Sequence, residues 1–415
     1  MTKNSLCDVL IIGAGPSGAV TAAILVQKGY QVTMLESAAF PRFSIGESLL
    51  PQAMEFLQLA NLLDCVKEAG FQFKNGAAFA YHDHYTEFDF SQKFGSGFNS
   101  TFQVERAIFD KILADKAQEF GATIIYQQRV TNLEFTDKLH TVTTCDETNN
   151  HHSYQARFVL DASGFARVLP NLLKLNRPSE FPPRMSIFTH ISAKLDQQLF
   201  DQNKILISVH PKHPDIWFWL IPLNDTKYSI GVVGEPHLLE KSQPNPEDQL
   251  MELIQQTPNL CTILKDISLT FPVRKITGYA QDVSTLYGKG FALLGNAGEF
   301  LDPVFSSGVT IALKSAVLAA ETLDLELQGK EVDWQESFAK PLQKGVNTFK
   351  AYVRTWYTGE LQQIIFSNRQ PEEIKAKICA ILAGYAWDET NDHATDARRK
   401  LSLLAKVCTT LGQSN

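Results

Sequence analysis

The sequence is poor in the features that mark several large classes of protein. Its six cysteines (Cys7, Cys65, Cys145, Cys261, Cys379 and Cys408) stand far apart, with no Cys-x-x-Cys pair. That argues against a zinc or disulfide framework and predicts reduced thiols in a cytoplasmic protein. Apolar runs are cut by charge or glycine well short of about eighteen residues, so no membrane span is expected. Met1 to Leu6 lead straight into the first apolar run, which predicts no signal peptide. With 38 basic against 45 acidic residues the net charge is −7, and no basic stripe offers itself to phosphates; nucleic acid is not an expected partner. There is no His-Glu-x-x-His or Cys/His cluster for a metal and no Ser-His-Asp ordering for hydrolysis. What remains is an ordinary globular composition, 44% hydrophobic and 20% charged over 415 residues, enough for two domains with their own cores.

The chain opens on its most informative stretch. Val9 to Ile12 reads as a buried parallel strand, followed by Gly13-Ala14-Gly15-Pro16-Ser17-Gly18 and an apolar helix from Ala19 to Val26. Gly13 allows the tight turn, Gly15 the close approach of backbone to a pyrophosphate, and Gly18 close packing of helix on strand. The helix N-terminus offers free N–H groups and the positive end of its dipole to that anion. A second strand, Gln31 to Leu35, ends on Glu36, at the spacing of a ribose-binding carboxylate. Strand, glycines, helix, strand and acid in this order predict a dinucleotide site. No second glycine motif of this kind follows.

Pro41-Arg42-Phe43-Ser44-Ile45-Gly46-Glu47-Ser48-Leu49-Leu50-Pro51 then reads as a loop, running into a helix from about Gln52 to Leu63. Arg42 and Glu47 are either a surface ion pair or contacts to cofactor phosphate and ring edge. Together with the opening, this segment resembles the flavin-dependent halogenases, within the FAD monooxygenases of the p-hydroxybenzoate hydroxylase type. Leu160-Asp161-Ala162-Ser163-Gly164 is similar to the Asp-Gly element with which that superfamily contacts its cofactor. Gly295-Asn296-Ala297-Gly298 through Asp302-Pro303 is similar to the segment that holds the ribityl chain, with Asn296 where many members carry Asp. The resemblance covers the chain to about residue 325.

Three further stretches match halogenase patterns. Trp217-Phe218-Trp219-Leu220-Ile221-Pro222 fits WxWxIP; it is a doubly buried strand, and the resemblance implies that Trp217 and Trp219 shield the flavin from the organic substrate. Lys74, in Phe71-Gln72-Phe73-Lys74-Asn75-Gly76, falls where the family places its catalytic lysine; the alternative is a lysine snorkelling off a strand edge. Phe300-Leu301-Asp302-Pro303-Val304-Phe305-Ser306-Ser307-Gly308 fits the third pattern, with Ser307, Gly308 and Val309 opening a helix whose N–H groups would face the flavin. Ser307 and Gly308 are the implied halide site. Arg106 either reaches the cofactor or starts an amphipathic helix to about Glu119, and Val130 is expected beside the adenine.

The expected architecture is α/β: a discontinuous Rossmann-type FAD-binding domain (1–76, 100–178 and 275–328), interleaved with a β-sheet substrate domain (77–99 and 179–274), then a helical C-terminal region (329–415) broken at Asn368 to Pro371. The implied cofactor set is FAD through Gly13, Gly15, Pro16, Ser17, Gly18, Glu36, Arg42, Glu47, Ser48, Arg106, Val130, Asp161, Gly295, Asn296, Asp302, Gly308 and Val309, with chloride or bromide as co-substrate. The resemblance implies halogenation of an electron-rich ring, phenolic or pyrrolic, free or tethered to a carrier protein, with reduced flavin from a separate reductase. The alternatives are a hydroxylating monooxygenase in the same scaffold and a geranylgeranyl-reductase-type flavoenzyme.

Overall fold

The computed structural model describes residues 5–240, 245–367 and 371–412. Its centre is the Ser5–Ile12 strand, hydrogen-bonded in parallel to Val32–Leu35 on one side and to His151–Asp161 on the other. Thr123–Ile125 and Phe291–Leu293 extend the parallel sheet outward, and the Arg129–Glu134 and His140–Cys145 strands join it through His151–Asp161. Val9 to Ile11 are fully buried because helices cover one face and the Arg129–Glu134 and His140–Cys145 strands cover the other, which is why this strand shows no polar alternation. One covering helix is Pro16–Gln27, apolar nearly all round and packed against the Ser307–Leu327 helix.

The helix expected from Gln52 to Leu63 is two helices, Pro51–Leu59 and Leu63–Glu68. Asn61 takes a left-handed conformation (φ 58°) between them; asparagine tolerates it at low cost, so the helix ends there.

A second, mostly antiparallel sheet stands over the first. Its order is Ser268–Leu269, Met185–Ser192, Lys227–Gly234, Trp217–Pro222, Lys204–Val209, Gly76–Tyr81 and His84–Asp89, with Arg274–Thr277 also on Met185–Ser192. Every residue of Trp217–Pro222 is buried, as its two apolar faces require. The C-terminal helices pack beside both sheets; Lys340–Tyr357 carries Tyr352, Trp356 and Tyr357 inward. Of the expected helix break, Asn368 to Gln370 lie outside the described residues. Among the described residues, no helix is long and apolar enough to cross a membrane, and no group of three His, Cys, Asp or Glu is placed to hold a metal.

Candidate active site

A cleft of about 670 Å³ runs between the two sheets, lined from the glycine turn at one end to Trp217, Trp219 and Tyr279 at the other. At the first end the backbone leaves no choice of residue. A Cβ on Gly13 (φ 97°) would sit 2.6 Å from the Ala162 carbonyl oxygen, and one on Gly18 would sit 2.1 Å from the Gly13 carbonyl oxygen. Gly15, Pro16 and Ser17 line the cleft; Gly18 lies behind it, serving the packing of helix on strand.

Glu36 ends its strand at the cleft wall. Its Oε2 accepts the Ala14 N–H at 3.0 Å and its Oε1 the Ala38 N–H at 3.0 Å, so the carboxylate faces inward in a fixed orientation. Arg42 approaches Glu36 at 3.5 Å and pairs with Asp110 at 3.1 Å. Arg106 binds the same carboxylate through Nε at 2.7 Å and Nη2 at 3.1 Å, and donates to the Ile45 carbonyl. Asp110 thus holds two cationic side chains at the cleft. The sequence reading missed it, although it lies one helical turn after Arg106. Arg42 and Arg106 both line the cleft, Arg42 within ion pairs and Arg106 as the first residue of the Arg106–Glu119 helix; Val130 lines the same wall.

Glu47 and Ser48 also line the cleft. Glu47 is almost wholly buried; Oε1 is 2.5 Å from His190 Nε2, and Oε2 has no protein partner. His190 comes from the second sheet, 143 residues away, and no local signal announced it. Ser48 Oγ accepts from Lys74 Nζ at 2.8 Å, and the Leu49 carbonyl accepts from it at 2.8 Å. Lys74 is 1% exposed, so it does not snorkel to water. Burial pushes its amine down to about 7. Lys74 does not line the cleft itself; Ser48 stands between.

At the far end, Trp217 and Trp219 both line the cleft, with ring centroids 6.1 Å apart. Trp217 Nε1 donates to Tyr357 Oη at 3.0 Å, and Trp219 Nε1 to Ser229 Oγ at 3.1 Å. Beneath them, Asn296, Gly308 and Val309 face the cleft, while Gly295, Asp302 and Ser307 do not. Gly295 donates its N–H to Ser315 Oγ and holds the turn from behind. Asp302 Oδ1 accepts the Val304 N–H and Oδ2 the Tyr357 hydroxyl, so its carboxyl points away from any cofactor in the cleft. Asp161 likewise spends both oxygens on backbone, the Ser163 and Leu169 N–H groups, and stiffens the loop over Gly13. Arg167, which the sequence reading did not single out, fixes the other side of this turn by donating to the Asn296 carbonyl at 3.0 Å.

The cleft fits a flavin dinucleotide on its own terms. It has side-chain-free glycines where backbone must meet a ligand, an oriented carboxylate, two arginines, and the N-termini of two helices opening on one long cavity. The fold and site therefore define a Rossmann-type dinucleotide-binding α/β protein with a sheet roofing the cofactor. Residues 6–335 match the FAD binding domain family, and the chain belongs to it. It is an FAD-dependent oxidoreductase, as the sequence led one to expect.

Similar proteins sharpen this. The crystal structure of a flavoprotein/dehydrogenase from Cytophaga hutchinsonii is 40% identical, with a TM-score of 0.95 over 99% of this chain and 100% of that one. A tryptophan 2-halogenase of Chondromyces crocatus is 30% identical over 80% of this chain, which spans 64% of that enzyme's length. A 1H-pyrrole-2-carbonyl-[peptidyl-carrier protein] chlorinase of Pseudomonas fluorescens is 26% identical, over 95% of this chain and 92% of that enzyme.

Proposed function

We propose that this protein halogenates an electron-rich aromatic ring, phenolic or pyrrolic, free or tethered to a carrier protein. The observation that carries the reading is Lys74. A lysine sealed in the core, with no acid paired to it among the described residues, is costly unless its neutral amine has a use. The likeness to halogenases, one of which acts on a carrier-bound pyrrole, supports the same reading.

When bound, reduced FAD supplies the electrons with which oxygen turns a halide into hypohalous acid. The chain's own groups do the rest. The N–H groups at the start of Ser307–Leu327 hold the halide at the cleft floor, within reach of Gly308 and Val309. Trp217 and Trp219 wall the organic substrate off from the cofactor, so that oxygen is not inserted directly. Once Ser48, which separates it from the cleft, swings aside, the neutral Lys74 amine attacks the halogen of the hypohalous acid, forming an N–halogen bond and releasing water. The ring then takes the halogen, and the proton it loses returns the amine. With one dinucleotide motif in the chain, the reduced flavin comes from a separate reductase.

The test is mass spectrometry of product formed by the full chain with FAD, a generic flavin reductase and a phenol and pyrrole panel that includes carrier-bound pyrrole. Halide-dependent mass shifts, lost in Lys74→Ala while FAD is still retained, are expected. Oxygen insertion that ignores halide and survives Lys74→Ala overturns the reading in favour of a hydroxylase.

A further inference from the structure

Asp302 is left without a task by the mechanism above, yet it sits at a crossing of three elements. Its Oδ1 caps the short turn Pro303–Phe305 by accepting the Val304 N–H at 3.1 Å. That turn leads, through Ser306 in a left-handed conformation (φ 54°), into the helix start that faces the cleft. Its Oδ2 accepts the hydroxyl of Tyr357, from the C-terminal helices, at 2.8 Å. Tyr357 Oη in turn accepts the indole N–H of Trp217, in the shielding strand, at 3.0 Å. One buried carboxyl therefore ties together the helix-start turn, the tryptophan wall and the helix Lys340–Tyr357.

Resting on the halogenase reading, we propose that Asp302 is a positioning residue whose protonation state sets how tightly the 303–308 turn holds a halide. Ionised, the carboxylate places a negative charge in the turn that must accept a second anion, in surroundings of low dielectric where repulsion is strong. Protonated, it keeps the turn's shape and removes the repulsion. Proton and halide thus bind cooperatively, each raising the affinity for the other by the same factor.

The groups around Asp302 place its titration where it can act. Tyr357 and the Val304 N–H stabilise the carboxylate, as does Arg184, whose guanidinium lies 3.7 Å from the centre of the Tyr357 ring. Asp215, paired with Arg184, opposes it; Glu235 stands behind Arg184, and the Tyr279 phenol lies alongside. Burial outweighs the stabilising contacts and pushes the Asp302 carboxyl up to about 6. Its charge therefore changes within the working range of a neutral-pH enzyme.

The experiment is a bromide titration of the FAD-loaded full chain, followed by the flavin absorption spectrum from about pH 5.5 to pH 8. Bromide affinity of the unaltered protein is expected to weaken about tenfold over two pH units, within the one decade per unit that a single proton permits. Asp302→Asn is expected to keep the low-pH affinity throughout. Tyr357→Phe removes a hydrogen bond to the carboxylate, so the transition moves to higher pH; if Asp302→Asn fails to retain FAD, the direction of this shift decides. A purely structural Asp302 would change FAD retention without moving the pH profile. Bromide affinity that ignores pH, or the same profile in Asp302→Asn, overturns the proposal and leaves the halogenase reading standing. No bromide response at any pH, together with halide-independent product, overturns both.

Discussion

At the scale of single residues, the cost of the site is concentrated in Lys74. Its ordinary amine value is 10.5 and its folded value about 7, so between these two limits the unfolded chain binds a proton that the folded protein does not. Stability from this group therefore rises as pH climbs from about 7 to 10.5 and is lost on the way down. Lys74→Met keeps an unbranched stem one atom shorter and removes the ionisation. It forfeits the bonds to Ser48 and Leu49, worth about 1–3 kcal/mol in unpaired acceptors. The expected outcome is a higher melting temperature than the unaltered protein at pH 7, with the gain shrinking toward pH 10. A gain that is flat with pH would mean the amine stays charged when folded. Activity lost as stability is gained would mark a residue kept for chemistry.

At the scale of elements, the strand Trp217–Pro222 does its work only because its neighbour makes room. A Cβ on Gly231 of the adjoining strand would lie 2.3 Å from Trp219 Cζ2 and 2.7 Å from Phe188 Cβ. Gly231→Ala is therefore expected to push the Trp219 indole toward the cleft and to cost about 1–3 kcal/mol by overpacking. Lower thermal stability with altered tryptophan fluorescence would confirm it; an unchanged melting curve would show the indole free to move. The same element reveals how far local sequence can reach. Two tryptophans two apart on an apolar strand announce a shared buried face, but not that Trp217 bonds to Tyr357, 140 residues onward.

At the scale of the whole molecule, the C-terminal helices are part of the site rather than an appendage. Lys340–Tyr357 brings Trp356 and Tyr352 edge-on against Phe305, next to the turn proposed to hold the halide, and Tyr357 against Asp302. The helix is seated by Trp387, which fits over Gly345 so closely that a Cβ there would lie 2.1 Å from the indole. Trp387 cannot retreat without breaking its bonds to the Pro341 and Leu342 carbonyls. Gly345→Ala should therefore displace the helix, lowering turnover more than FAD binding, since most of the expected cofactor contacts lie at the glycine-turn end of the cleft. Equal loss of both would show that the helix supports the fold alone.

The sequence by itself determined the cofactor half of this protein. Glycines at 13, 15 and 18, the acid at 36 and the apolar strands are local features, and their geometry follows from short-range sterics and from burial on both faces of a parallel sheet. Arg42, Glu47, Ser48, Arg106, Val130, Trp217 and Trp219 all line the cleft, and in the sequence they were singled out by resemblance to family motifs, with Arg42, Glu47 and Arg106 left open between two readings. Only the tertiary structure decided what each polar group is bonded to. Asp161 and Asp302 look in sequence like cofactor ligands, yet both spend their oxygens on backbone N–H groups or Tyr357. Lys74 reads as either exposed or buried until Ser48 and Leu49 close over it. Asp110, His190, Arg167 and Tyr357 gain their places from contacts between segments distant in the chain. The reason is physical: a backbone turn is dictated by the residues within it, whereas a buried charge is placed by whichever distant partner can satisfy it.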